Sequence, residues 1–153
     1  MKKGYSPFFL LSLIVFLVDQ GTKYLITSRF ALYDTVPILP FFNLVYVRNT
    51  GSAFGMFTSL GNLFFIVVAS VAVLIVSFLI VRTREGRFGL SLILGGAAGN
   101  MADRLVHGYV VDFLDFHAAG RHWPAFNVAD SALTVGIILL LLGSFFHGSR
   151  ERT

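Results

Sequence analysis

Asp112 and Asp130 form a candidate pair for carboxylate chemistry. Two carboxyl groups that share a water and a proton can hydrolyse a peptide bond without a metal. One, ionised, takes a proton from the water; the other, protonated, donates to the carbonyl oxygen. Like charges in a poorly solvated site do not both ionise easily, so proximity divides the roles and the pair titrates as a unit. Asp112 follows the third apolar segment, Asp130 opens the fourth, and the loop between them can fold back. Asp130 suits a helix N-cap or first turn equally well, where the helix dipole favours an acid. Spacing alone leaves both readings open.

Other polar residues sit where they could support such a pair or simply hold helices together. Asp19 and Lys23 are four apart, acid first, and so share a helix face. Asn100 and Asp103 are three apart and can also meet on one face, while Asp103-Arg104 reads as an ion pair that ends a helix. Asn127 just precedes Asp130 and suits either a cap or an orienting amide. Asn49-Thr50-Gly51-Ser52-Ala53-Phe54-Gly55 has glycines that permit turns and close backbone approach, the signature of an ordinary turn as much as of a site. A metal site is not expected. His117 and His122 are five apart, unlike the one-face spacing of a helical zinc motif, and beyond Asp115 no third strong ligand stands near. Ser52 and Ser131 have no evident paired base, and the chain has no cysteine, hence no thiol nucleophile and no disulfide.

The elements that must position these residues are apolar. Of 153 residues, 56% are hydrophobic and 13% charged, against about 25% charged in soluble domains. Lipid is the expected solvent. A crossing helix needs roughly 20 apolar residues, and four fit as one domain: spans of about residues 8–30, 63–81, 88–106 and 128–146. Lys2 and Lys3 with the apolar run after them resemble a signal peptide, but Asp19, Gln20 and Lys23 follow in place of a small-residue cleavage site, so a retained first span is expected. Phe41–Val47, aromatic and β-branched, predicts a short strand in the first long loop. The net charge of +4 comes from short basic clusters between apolar runs, a topology signal rather than a nucleic-acid surface. Lys2, Lys3, Arg82, Arg84, Arg87, Arg150 and Arg152 fall on one side if there are four spans, which makes both termini cytoplasmic and puts the long loops outside. Asp19, Lys23, Asn100, Asp103, Arg104, Asp112 and Asp130 then converge on the outer level. Charges there usually face the bundle interior, paired or near water. A small transporter with a proton relay, or a subunit glued by polar contacts, would also carry intramembrane charges.

Four segments together resemble the lipoprotein signal peptidases, or signal peptidase II. They are Asp19-Gln20-Gly21-Thr22-Lys23; Asn49 to Gly55; Gly99-Asn100-Met101-Ala102-Asp103-Arg104 with Gly108 to Phe113; and Trp123-Pro124-Ala125-Phe126-Asn127-Val128-Ala129-Asp130-Ser131. The resemblance implies an all-α membrane protein of four transmembrane helices with a small β-structured outer loop region. It implies an aspartic endopeptidase of the bacterial inner membrane, its active site toward the periplasmic face, that cuts diacylglyceryl-modified prolipoproteins just before the lipidated cysteine. Asp112 and Asp130 match the catalytic dyad. Asp19, Lys23, Asn49, Gly51, Asn100, Asp103, Arg104 and Asn127 match supporting or substrate-binding positions. The expected partners are prolipoproteins, membrane lipid and globomycin-like inhibitors, with no cofactor, metal or nucleic acid.

Overall fold

A computed structural model of the chain describes residues 4–51 and 61–150. Ser52 to Gly55 of the first-loop turn, Lys2 and Lys3, and Arg152 lie outside the described residues. The elements in chain order are α1 (Ser6–Arg29), β1 (Thr35–Leu39), β2 (Phe42–Asn49), α2 (Gly61–Arg82), α3 (Arg87–His107), β3 (Val110–Ala118), β4 (Arg121–His122) and α4 (Val128–Arg150). Each expected span is a helix, with Pro7 in the first turn of α1, where its missing N–H costs no bond.

Three helices are long and apolar enough to cross a membrane: Ser6–Arg29, Gly61–Arg82 and Val128–Phe145. They present leucine, valine and phenylalanine outward, among them Leu10, Leu17, Val67, Leu74 and Leu141. The third expected span, α3, is not among them. It carries Asn100, Asp103 and Arg104 in its last two turns and packs against all three others. Hydrophobic segregation does little between helices in lipid, so close backbone approach has to hold them. Small residues supply it here. A side chain at Gly95 would strike the Ser12 carbonyl and Val15 of α1, and one at Gly96 would strike the Ala129 carbonyl of α4. A first apolar cluster, Val76, Ile80, Leu90 and Leu94, joins α2 to α3.

At one end of the bundle lies an antiparallel four-stranded sheet in the order β1-β2-β3-β4. The predicted strand is β2, which extends two residues further, to Asn49. Its partner β3 comes from the second long loop, with Asn43 opposite Asp115 and Val47 opposite Asp112. The register shifts between Leu44 and Val47, a bulge that re-aims the residues beside it. A second apolar cluster, Ile26, Tyr46, Val111 and Phe113, seals the sheet onto the end of α1. Gly108, in the left-handed conformation at φ 80°, ends α3 and turns the chain into β3. Asp112 is therefore the third residue of β3, close after the end of α3.

Candidate active site

The polar ends of α1, α3 and α4 meet beneath the sheet. Asp19 and Lys23 pair at 2.8 Å, as their spacing predicts, and are 0% and 4% exposed at the side chain. Lys23 does not stop there. Its Nζ is 3.0 Å from Asp103 Oδ2 and donates to Asn100 Oδ1 at 3.0 Å, so three acceptors take the three donors of the ammonium. Asp103 thus pairs with a cation on another helix. The expected Asp103–Arg104 pair is replaced, because successive helical residues point to different sides. Both carboxylates accept further bonds. Asp19 Oδ1 accepts the Ala129 N–H of the first turn of α4 at 2.9 Å, and Asp103 Oδ2 accepts the Val111 N–H at 3.0 Å. Gln20 Nε2 reaches Asp19, the Gly99 carbonyl and Asp103 from 3.0 to 3.2 Å. Gly99 is required here: a Cβ would stand 2.5 Å from Asp19 Oδ2.

Next to this knot stand Asp112 and Asp130. Asn127 and Asp130 form a reciprocal cap of α4: Asp130 N–H donates to Asn127 Oδ1 at 2.9 Å, and Asn127 N–H donates to Asp130 Oδ2 at 3.2 Å. The cap reading of both residues is correct, and it accounts for only part of their contacts. Asp130 Oδ1 accepts from Asn100 Nδ2 at 2.7 Å. Asn127 Nδ2 donates to Asp112 Oδ1 at 2.7 Å, and Asn49 Nδ2 donates to Asp112 Oδ2 at 2.9 Å. One amide, Asn127, therefore touches the Asp130 backbone with its oxygen and the Asp112 carboxyl with its nitrogen. Both carboxyls face the same cavity of about 660 Å³. Burial pushes the Asp112 carboxyl up to about 7, reinforced by the charge of Asp130 and opposed by the bonds from Asn49 and Asn127 and by Lys23. Such a group can hold or release a proton near neutrality.

Arg104 and Asn49 also line the cavity, and Gly51 is bonded to both. The Gly51 N–H donates to Asn49 Oδ1 at 2.9 Å, an Asx turn that fixes the Asn49 amide. Arg104 Nη2 donates to the Gly51 carbonyl at 2.8 Å, and the guanidinium stacks 4.9 Å from the Phe65 ring centre. Trp123 to Phe126 form a further wall, and Leu133 and Val135 of α4 line the cavity as well. The residues matched to the dyad and its supporting positions thus lie in the knot, line the cavity or, like Gly51 and Asn127, bond to residues that line it. Gln20 and the Trp123–Phe126 wall were not singled out as site residues. Its place directly beside Asp19, within a polar break in an apolar span, was the available signal for Gln20; nothing in local spacing marks the wall. Asp115, buried and bonded by Asn43 and His122, lies apart from the cavity. Among the described residues no three His, Cys, Asp or Glu side chains gather to hold a metal.

Comparison with known proteins shows the family. A family model described as "Signal peptidase (SPase) II" matches residues 11–146. A lipoprotein signal peptidase of Thermodesulfovibrio yellowstonii is 49% identical over 128 residues, 84% of this chain and 87% of the other. One from Actinobacillus succinogenes is 45% identical over 157 aligned positions, 98% of this chain and 96% of the other. A solved structure described as a bacterial membrane enzyme at 2.3 Å resolution superposes with a TM-score of 0.87 at 31% identity, covering 95% of this chain and 91% of that one. A second, at 1.9 Å, has a TM-score of 0.78 at 31% identity over 90% and 91%. The chain belongs to the signal peptidase II family of aspartic-type membrane proteases.

Proposed function

We propose that this protein removes the signal peptide of diacylglyceryl-modified prolipoproteins, cutting before the lipidated cysteine, with Asp112 and Asp130 as the catalytic dyad. The observation that carries the reading is the pair itself: a buried carboxyl, Asp112, and a half-buried one, Asp130, at one cavity, held by neutral amides and, among the described residues, without a cation bonded to either. The dyad holds one proton between its members. The ionised carboxylate takes a proton from water, whose oxygen attacks the scissile carbonyl. The protonated carboxyl donates to that carbonyl oxygen. Collapse of the tetrahedral intermediate breaks the C–N bond, and the nitrogen leaves with a proton from the dyad. Asn49, Asn100 and Asn127 fix the carboxyls in geometry. Arg104, bonded to the Gly51 carbonyl, lines the cavity where substrate backbone would lie. Holding remote parts of a bound peptide aligns the scissile bond for attack.

Topology supports the same reading. We take α3 as a fourth span within a single membrane-embedded domain, which puts Arg82, Arg84 and Arg87 on the cytoplasmic side of a bacterial inner membrane and the sheet on the periplasmic side. The apolar wall beside the carboxyls then suits a lipidated peptide entering from the bilayer, and an inhibitor of the globomycin type would compete for that cavity. A proton-relay transporter would need acids along a path through the membrane; here Asp19, Asp103, Asp112 and Asp130 gather at one end. The test is direct. Purified protein in detergent should cleave a diacylglyceryl-modified prolipopeptide so that the new N-terminus is the modified cysteine, and should leave the unmodified peptide intact. Equal cleavage of both, or of neither, contradicts the reading.

A further inference from the structure

The return path from the sheet to α4 has two anchors, and only one of them is next to the dyad. The inner anchor is a backbone bridge: Leu114 N–H donates to the Phe126 carbonyl at 2.8 Å, and Phe126 N–H donates to the Leu114 carbonyl at 3.1 Å. It sits directly before Asn127. The outer anchor lies at β4, which is two residues long and pairs His117 with His122 and Ala118 with Arg121, and just beyond it the Trp123 N–H donates to the Phe116 carbonyl at 2.7 Å. Its turn is tight, with Ala119 at φ 48° and Gly120 at φ 74°. So short a ladder is marginal by itself. Between the anchors run Trp123, Pro124 and Ala125, all lining the cavity. Pro124 has no N–H to extend a ladder.

Side chains reinforce the outer anchor. The His122 ring nitrogen Nδ1 is 2.9 Å from both oxygens of Asp115. Asp115 is buried at the β2–β3 seam, where Asn43 Nδ2 donates to it at 2.7 Å. His117 stacks on His122 with ring centres 4.8 Å apart. Burial pushes the Asp115 carboxyl up, but the bonds from Asn43 and His122 and the nearby imidazoles outweigh it and hold it below its ordinary value. A buried anchor on the central strands thus grips a half-exposed histidine, 56% open at the side chain, immediately before the cavity wall.

We propose that Asp115 and His122 are positioning residues that seat the Trp123–Ala125 wall, and so set the affinity for the apolar part of the substrate without taking part in the chemistry. This rests on the cavity being the substrate site. Without the His122–Asp115 grip, Trp123 is held to β3 by the short backbone ladder and its own bond to the Phe116 carbonyl, so Trp123 and Pro124 are seated less firmly, while the Leu114–Phe126 bridge keeps Asn127 and Asp130 in place. Binding should weaken, and the bond-breaking step should not.

The experiment measures kcat and KM on a lipidated prolipopeptide for the full chain and for His122→Ala, His122→Asn, Asp115→Ala and Asp112→Asn. His122→Ala alters a half-exposed side chain and should fold. Loss of one such bond should raise KM about fivefold in His122→Ala and Asp115→Ala, with kcat and its pH profile unchanged. His122→Asn keeps an N–H near the Nδ1 position and should restore KM. An unmoved KM in His122→Ala, a fall in kcat instead, or no rescue by asparagine overturns the proposal. Asp112→Asn separates the two failures. Normal turnover there removes the assignment of the site, and with it the clamp. Lost turnover there with an unmoved KM in His122→Ala removes the clamp alone.

Discussion

Four carboxylates crowd the sheet-side ends of α1, α3 and α4, and their surroundings divide them into two pairs. Asp19 and Asp103 share the ammonium of Lys23, and their oxygens also take backbone N–H groups from Ala129 and Val111. Asp112 is as deeply placed and Asp130 less so, and both take their side-chain bonds from the amides of Asn49, Asn127 and Asn100. An amide orients a carboxyl without balancing its charge; a lysine does both. The first pair is therefore suited to binding helices together, and the second to handling a proton. Residue type does not separate structural from chemical acids here. The partner does.

The largest effect expected from this contrast is at the second pair. Asp112→Asn or Asp130→Asn should lower kcat by about 10³-fold or more, while the variants accumulate in the membrane and unfold at nearly the wild-type temperature. Next comes Lys23→Met, which leaves Asp19 and Asp103 buried without a cation. Breaking a buried pair from one side costs roughly 3–5 kcal/mol, to be read as loss of folded protein in detergent thermal melts. A Lys23→Met protein that folds normally and loses only turnover would move the knot into the chemistry and break the comparison. Smaller still is Gly99→Ala, which pushes on Asp19 Oδ2. Overpacking of this kind costs about 1–3 kcal/mol, and the melting temperature should fall with it.

What could be read from the sequence was local or periodic. Apolar length located the helices, the i,i+4 spacing located the Asp19–Lys23 pair, and the order Asn127–Asp130 signalled a cap. The pairing of sheet strands was not readable: Asn43 meets Asp115 from 72 residues away, and no local pattern encodes that partner. The same limit explains why Asp103 was matched to Arg104 beside it rather than to Lys23 across the bundle. Only β2 was predicted as a strand. β1 is interrupted by Pro37 and fully exposed, and β3 shows no alternation because most of it is buried on both faces. The cap and catalytic readings of Asp130 seemed exclusive in one dimension. In three, one oxygen serves the helix and the other turns to Asn100.

The central claim is that Asp112 is a proton carrier whose affinity is set by burial and by Asp130. Isotope-edited infrared titration of the Asp112 carboxyl tests it most directly. The protonated carbonyl band should persist to about pH 7 in the wild type, and kcat should fall as pH rises through the same range, because the shared proton is then lost. In Asp130→Asn the band should vanish at lower pH, since the neighbouring charge that raises it is gone. A band that disappears near the ordinary 3.8 in both proteins would contradict the account.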